Sequence, residues 1–212
     1  MRLARLFLAL LMPLLLATGP AEAKRARLSL SPEQAQAVAR IDAYFNSFQT
    51  LRGDFTQTGS RGQTARGVMM IAKPGKIRFE YAPPSALLMV SDGKWLTIKN
   101  KFKDTGDQFP LSATPLRLVV TTGLNLARDT AIESVNDQNG LTIVALSDPK
   151  DETGSKLILA FDPARNVLQQ WQVIDGKGRR TTVDLANLET GVTLDPKLFK
   201  VTLKRPEFRS NK

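Results

Sequence analysis

The sequence predicts an α+β domain in which one amphipathic helix precedes a long, strongly curved antiparallel sheet. Three observations carry that prediction. Val38, Ile41, Phe45 and Phe48 recur at helical spacing and form a single apolar stripe. From Leu51 onward the apolar period changes to two and keeps that value for most of the chain. The dipeptides Asp92-Gly93, Asn139-Gly140 and Asp175-Gly176 separate successive runs, and each is a hairpin signal because both positions tolerate positive φ. Sequential hairpins at this spacing curl a sheet on itself.

Taken in order, the chain opens with Arg2 and Arg5, an apolar run from Leu6 to Ala17, the helix-breaking pair Gly19-Pro20 and the small-residue end Ala21-Glu22-Ala23. This is the pattern of a secretory signal peptide, residues 1–23, removed to leave a mature chain from Lys24. The apolar run falls short of the ~20 residues that a spanning helix needs. No later stretch is longer, so the mature chain is expected to be soluble and exported. Residues 24–212 carry no Pro/Ser-rich linker and no shift in composition, which predicts a single domain.

Ser31-Pro32-Glu33-Gln34 reads as a helix start, with Ser31 as N-cap, Pro32 at the first helical position and Gln34 closing a capping box. The helix is expected to end near Gln49. In Lys76–Tyr81 the residues Ile77, Phe79 and Tyr81 face one way and Lys76, Arg78 and Glu80 the other, the mark of a strand with one wet face. Further strands are expected at Gly53–Thr58, Gly67–Ala72, Ala86–Ser91, Trp95–Lys99, Leu141–Ser147, Lys156–Phe161, Val167–Ile174 and Arg180–Leu188. The meander is interrupted between Asn100 and Asp129 by a loop and a short helix beginning at Thr114-Pro115. A turn at Leu194–Phe199 then precedes a final strand, Lys200–Leu203, and a basic tail.

Composition narrows the chemistry. The chain has 212 residues, 42% hydrophobic and 24% charged, which suits a globular protein. It contains no cysteine and no histidine, so disulfides, thiolate zinc sites, cysteine nucleophiles, Ser-His-Asp machinery and imidazole ligands are all excluded. Two clusters remain for an enzyme: Ser91, Asp92 and Lys94, which form a hairpin turn, and Asp148, Asp151 and Glu152, an acidic loop without metal-binding spacing. Neither predicts catalysis, and no cofactor is implied. The net charge of +10 invites a nucleic-acid reading, but the cations are scattered, with clusters only at the termini and no aromatic interleaving. The charge either steers the protein toward anionic lipid or an acidic surface or simply makes a soluble basic surface.

A curved sheet must cover its apolar face, and the cover here is one helix and one short insert. Met69, Ile71, Ile77, Phe79, Met89, Trp171 and Val173, with Phe45 and Phe48, are the inward candidates. They either form a packed core or line a cavity for a hydrophobic ligand, and periodicity does not separate the two.

The residues themselves carry a resemblance. The ordered set Phe55-Thr56-Gln57, Gly67, Ile71, Lys73-Pro74-Gly75-Lys76, Arg78-Phe79, Tyr81, Pro84, Val90-Ser91-Asp92-Gly93, Thr114-Pro115, Phe161-Asp162, Asp175, Thr182, Leu198-Phe199 and Pro206 resembles the periplasmic lipoprotein carrier family LolA. The resemblance implies an unclosed antiparallel β-barrel of about eleven strands, with a helical lid over a hydrophobic cavity for acyl chains. On this resemblance the acyl cavity and lid comprise Ile41, Phe45, Phe48, Phe55, Met69, Ile71, Lys73, Ile77, Phe79, Met89, Leu116, Val119, Trp171 and Val173. The family latches its lid with a basic residue, usually arginine, at the position of Lys73, which is expected to reach helix residues around Phe45 and Val119. Leu116 stands where the family places an aromatic. The implied partners are acylated lipoproteins, an inner-membrane ABC-type release complex, and an outer-membrane acceptor or the outer membrane itself, met by a periplasmic monomer that binds no nucleic acid. A lipid- or lipoprotein-sensing regulator on the same half-barrel is the alternative. The anchored acceptor of the same fold needs a cysteine that this chain lacks.

Overall fold

The computed structural model describes residues 28–149 and 153–203. The signal-peptide segment, Asp151 and Glu152 of the acidic loop, the terminal basic clusters apart from Lys200, and Pro206 lie outside the described residues. Helix α1, Pro32–Asn46, begins as the sequence requires: Ser31 accepts from the Gln34 amide and the Gln34 side chain answers to the Ser31 amide. It stops before the expected Gln49, because Ser47 turns back on the Tyr44 carbonyl and the chain enters a strand at Thr50.

Eleven strands follow: β1 Thr50–Thr58, β2 Thr64–Ala72, β3 Lys76–Tyr81, β4 Leu87–Asp92, β5 Trp95–Asn100, β6 Thr105–Pro110, β7 Ala131–Gln138, β8 Leu141–Ser147, β9 Lys156–Asp162, β10 Val167–Ile174 and β11 Arg180–Thr190. They make one antiparallel sheet in the order β6-β5-β4-β3-β2-β1-β11-β10-β9-β8-β7. Two meanders are therefore zipped together by the β1–β11 ladder, and β6 and β7 remain as the two free edges. Bulges at Arg52/Asp54, Leu168/Gln170 and Ile132/Ser134 sharpen the curl. The connection from β6 to β7 has to bridge the open side, and it does so with a 3-10 turn at Leu111–Ala113 and two short helices, α2 Leu116–Val119 and α3 Leu126–Asp129.

Three sequence expectations are corrected. Strand β6 forms where the sequence predicts loop: Thr105–Pro110 has no apolar alternation to mark it, and as an edge strand it is exposed along its whole length. Strand β7 escapes a period-two reading because its bulge at Glu133 breaks the spacing between Ile132 and Val135. The final strand at Lys200–Leu203 does not form. Every strand beneath it already has neighbours on both sides, so the segment lies across the convex face. There Phe199 is buried with Leu88 and Val90, Arg78 donates to the Leu198 carbonyl at 2.9 Å and Lys99 to the Thr202 carbonyl at 2.8 Å. The Asn139-Gly140 turn has positive φ at both residues, 51° and 78°, as the hairpin signal demands. Asp175-Gly176 instead opens a longer loop in which Gly178 takes the positive φ of 77°.

Candidate functional site

The concave face alternates as the sequence predicts. Ile77, Phe79 and Tyr81 of β3, Met69 and Ile71 of β2, and Phe55 of β1 are all buried under α1 and the β6–β7 connection. Rings pack edge to face, with Phe55 against both Phe79 and Tyr81, and Phe79 against Trp171 at 6.0 Å between centroids.

This packing leaves an apolar cavity of about 370 Å³ between the two meanders. Its lining unites Phe79, Met89, Leu116, Trp171 and Val173, five of the expected site residues, with Gln57, Tyr81, Leu87, Ile98, Thr181 and Val183. The remaining expected residues, Ile41, Phe45, Phe48, Phe55, Met69, Ile71, Ile77 and Val119, are buried in the core around it and do not line it. Tyr81 and Val183 were accessible to parity arguments, since each shares a face with an expected residue. Leu87 and Ile98 follow from the same argument, since Leu87 lies two positions before Met89 on β4 and Ile98 is the cross-strand partner of Met89. The polar end is built by Tyr81, whose hydroxyl donates to Gln57 Oε1 at 2.6 Å, and burial pushes this phenol up to about 12.

Several contacts hold the lid. Lys73, at the end of β2, donates through Nζ to the Phe45 carbonyl and lies 4.1 Å from the centroid of the Phe48 ring. Burial pulls its ammonium down from 10.5 to about 8. The expected reach toward Val119 is made by the neighbouring backbone, where the Gly75 amide donates to the Val120 carbonyl at 2.9 Å. Asn46 closes a two-way bond with the Leu124 backbone, donating to its carbonyl at 2.8 Å and accepting from its amide at 2.9 Å. The Leu126 amide donates to Asp42 at 2.9 Å, and Gln34 donates to the Val135 carbonyl at 3.0 Å. A buried ion pair joins Arg117 of α2 to Asp148 beyond β8.

Of the two clusters considered for catalysis, Ser91, Asp92 and Asp148 have structural partners. Asp92 accepts the Lys94 and Trp95 amides at 2.8 Å each, and Ser91 accepts the Gly93 amide at 3.2 Å, so this group shapes the β4–β5 turn. Asp148 holds the lid. Among the described residues no group of three or more acidic side chains is placed to hold a metal, and no helix is long and apolar enough to cross a membrane.

Residues 46–202 match the family model described as outer membrane lipoprotein carrier protein LolA. The chain is 32% identical over 178 residues to an outer-membrane lipoprotein carrier protein of Chromobacterium violaceum, covering 80% of this chain and 84% of that one. It is 29% identical over 171 residues to the protein of the same name from Methylococcus capsulatus, covering 76% and 81%. Among solved structures, a LolA superfamily protein from Nitrosomonas europaea superposes with a TM-score of 0.45 at 10% identity, over 78% of this chain and 97% of that one. A family match over most of its length, on a chain folded as an unclosed eleven-stranded antiparallel sheet, places this protein in the LolA family of outer-membrane lipoprotein carrier proteins.

Proposed function

We propose that this chain is a carrier that shields the acyl chains of lipoproteins between the inner and outer membranes of a bacterial envelope. The observation that carries this reading is the apolar cavity set between two sheet halves, with Leu116 of the covering connection in its lining. Each methylene exposed to water costs about 0.8 kcal/mol, so a free acylated protein cannot cross an aqueous compartment unaided. A cavity without directional hydrogen bonds in its apolar body accepts such chains without fixing their position, and opening the lid offsets part of the binding energy so that cargo can leave.

The acyl site is proposed at Phe79, Met89, Leu116, Trp171 and Val173, with Ile41, Phe45, Phe48, Phe55, Met69, Ile71, Ile77 and Val119 as the packed layer that must yield to a larger cargo. Lys73 is the latch. Residues 1–23 are a cleaved export signal, and residues 24–212 act as one periplasmic, monomeric domain. Cargo comes from an ABC-type release complex in the inner membrane and passes to an outer-membrane acceptor or to the outer membrane itself. The reading needs no catalysis, cofactor or nucleic acid.

The test is recovery of the periplasmic protein under gentle conditions, followed by native mass spectrometry. Co-purifying acylated lipoproteins and a mature chain starting at Lys24 are the expected result. Protein that never carries acylated cargo, even when lipoprotein release is supplied, would refute the carrier reading.

A further inference from the structure

The β5–β6 hairpin carries a feature that the packed fold does not use. Phe102 at its tip is 80% exposed, whereas the next most exposed large apolar side chain among the described residues, Phe109, stands at 45%. The tip is built to display this ring. Asn100 Oδ1 accepts the amides of both Phe102 and Lys103 at 3.0 Å, and the Lys101 amide is tied to the Ala86 carbonyl at 2.7 Å. An ion pair between Lys99 and Asp104 closes the turn, with Asp104 at a φ of 57°.

The surroundings of the ring select its partner. Lys101 and Lys103 flank it, both exposed, and Lys101 also donates to the Tyr81 backbone carbonyl at 3.2 Å. Leu87 and Ile98, which line the cavity, are themselves partly exposed, and Leu87 pairs with Asn100 at the foot of the turn. Apolar surface thus runs from the cavity to the strand ends that carry the tip. A convex aromatic between two lysines suits a deformable apolar phase beneath an anionic head-group layer, where the ring buries and the ammonium groups stay at the surface.

We propose that the Phe102 tip is a membrane-docking element that seats the cavity mouth directly on an anionic bilayer. This deepens the carrier reading and rests on it: an acyl chain leaving beside Leu87 and Ile98 would enter lipid without crossing water, which removes the cost per methylene from the transfer step.

The experiment is co-sedimentation of the mature protein with vesicles of phosphatidylethanolamine and phosphatidylglycerol, compared with vesicles of phosphatidylcholine. Wild type should bind the anionic vesicles, and binding should weaken with salt. Phe102→Ser should lower binding about tenfold, because one buried aromatic is lost. Lys101→Gln with Lys103→Gln should lower it about fivefold for each lysine on anionic vesicles only, and should flatten the salt dependence. Both variants should keep wild-type thermal midpoints and wild-type affinity for a fluorescent fatty-acid probe, so loss of docking is separable from loss of carrying. Wild type that ignores anionic vesicles, or Phe102→Ser that binds them as well as wild type, overturns the proposal. Loss of cargo delivery by Phe102→Ser without any vesicle binding by wild type also overturns it, and assigns the tip to a protein acceptor. Failure of the probe to bind wild type would count against the carrier reading instead.

Discussion

Lys73 is held by opposing forces that can be read out by pH. The Phe45 carbonyl and the Phe48 ring favour its ammonium form, while burial disfavours it and prevails, bringing the group down from 10.5 to about 8. Between those two values the unfolded chain binds the extra proton and the folded chain does not, so stability should rise with pH from about 8 upward. Tyr44 and Tyr81, pushed up from 10 to about 12 by burial, act in the opposite sense above pH 10, so the lysine is best observed below it. Urea midpoints measured across that window should climb for wild type and stay flat for Lys73→Arg, whose charge does not titrate there. A flat wild-type profile would show that Lys73 keeps an ordinary value. Lys73→Leu should fold normally yet transfer acyl cargo poorly, and wild-type transfer rates would remove the latch role. The adjacent Gly75 has a φ of 77°, and a Cβ there would stand 2.7 Å from Gly93 Cα. Gly75→Ala should therefore cost about 1–3 kcal/mol in chemical denaturation. Lys73 could be picked out in the sequence only through the resemblance, because its partner is a helix carbonyl 28 positions away in the chain.

The lid works as an element because several weak fastenings act on one connection. Asn46 alone satisfies both the amide and the carbonyl of Leu124. Asn46→Ala should leave both groups without that partner, lower global stability by about 1–3 kcal/mol and speed exchange of the amides in 116–126, as seen by hydrogen exchange. Unchanged exchange in that segment would mean that α1 does not restrain it. The start of α1 was legible in the sequence because a capping box is local, three residues closing on themselves. The edges β6 and β7 were not, since an exposed edge has no apolar alternation and a bulge shifts the period by one. The supposed last strand had the right residue types, but no ladder edge was left for it to join.

At the scale of the whole molecule, the free edges and the lid are one device. A closed barrel would seal the apolar interior, whereas in a sheet left open between β6 and β7 the covering connection is tied into no ladder. Leu116 is the lid residue that reaches the cavity, so Leu116→Trp should fill part of the 370 Å³ and weaken binding of a long-chain fluorescent probe by tenfold or so, with little change in folding stability. Trp171 in the opposite wall offers an intrinsic fluorescence signal for the same titration, and undiminished affinity would place the acyl site elsewhere.

The sequence by itself determined the class of the fold, the helix start, nine of the eleven strands and the chemistries that are absent, because each of these rests on local period or on composition. Tertiary structure alone decided which inward residues line the cavity and which fill the core. The physical reason is that burial parity is set within a strand, while a void depends on how two distant meanders fail to meet. Phe79 and Phe55 share the same inward pattern, yet only Phe79 borders the gap where β3 faces β10 across the open barrel.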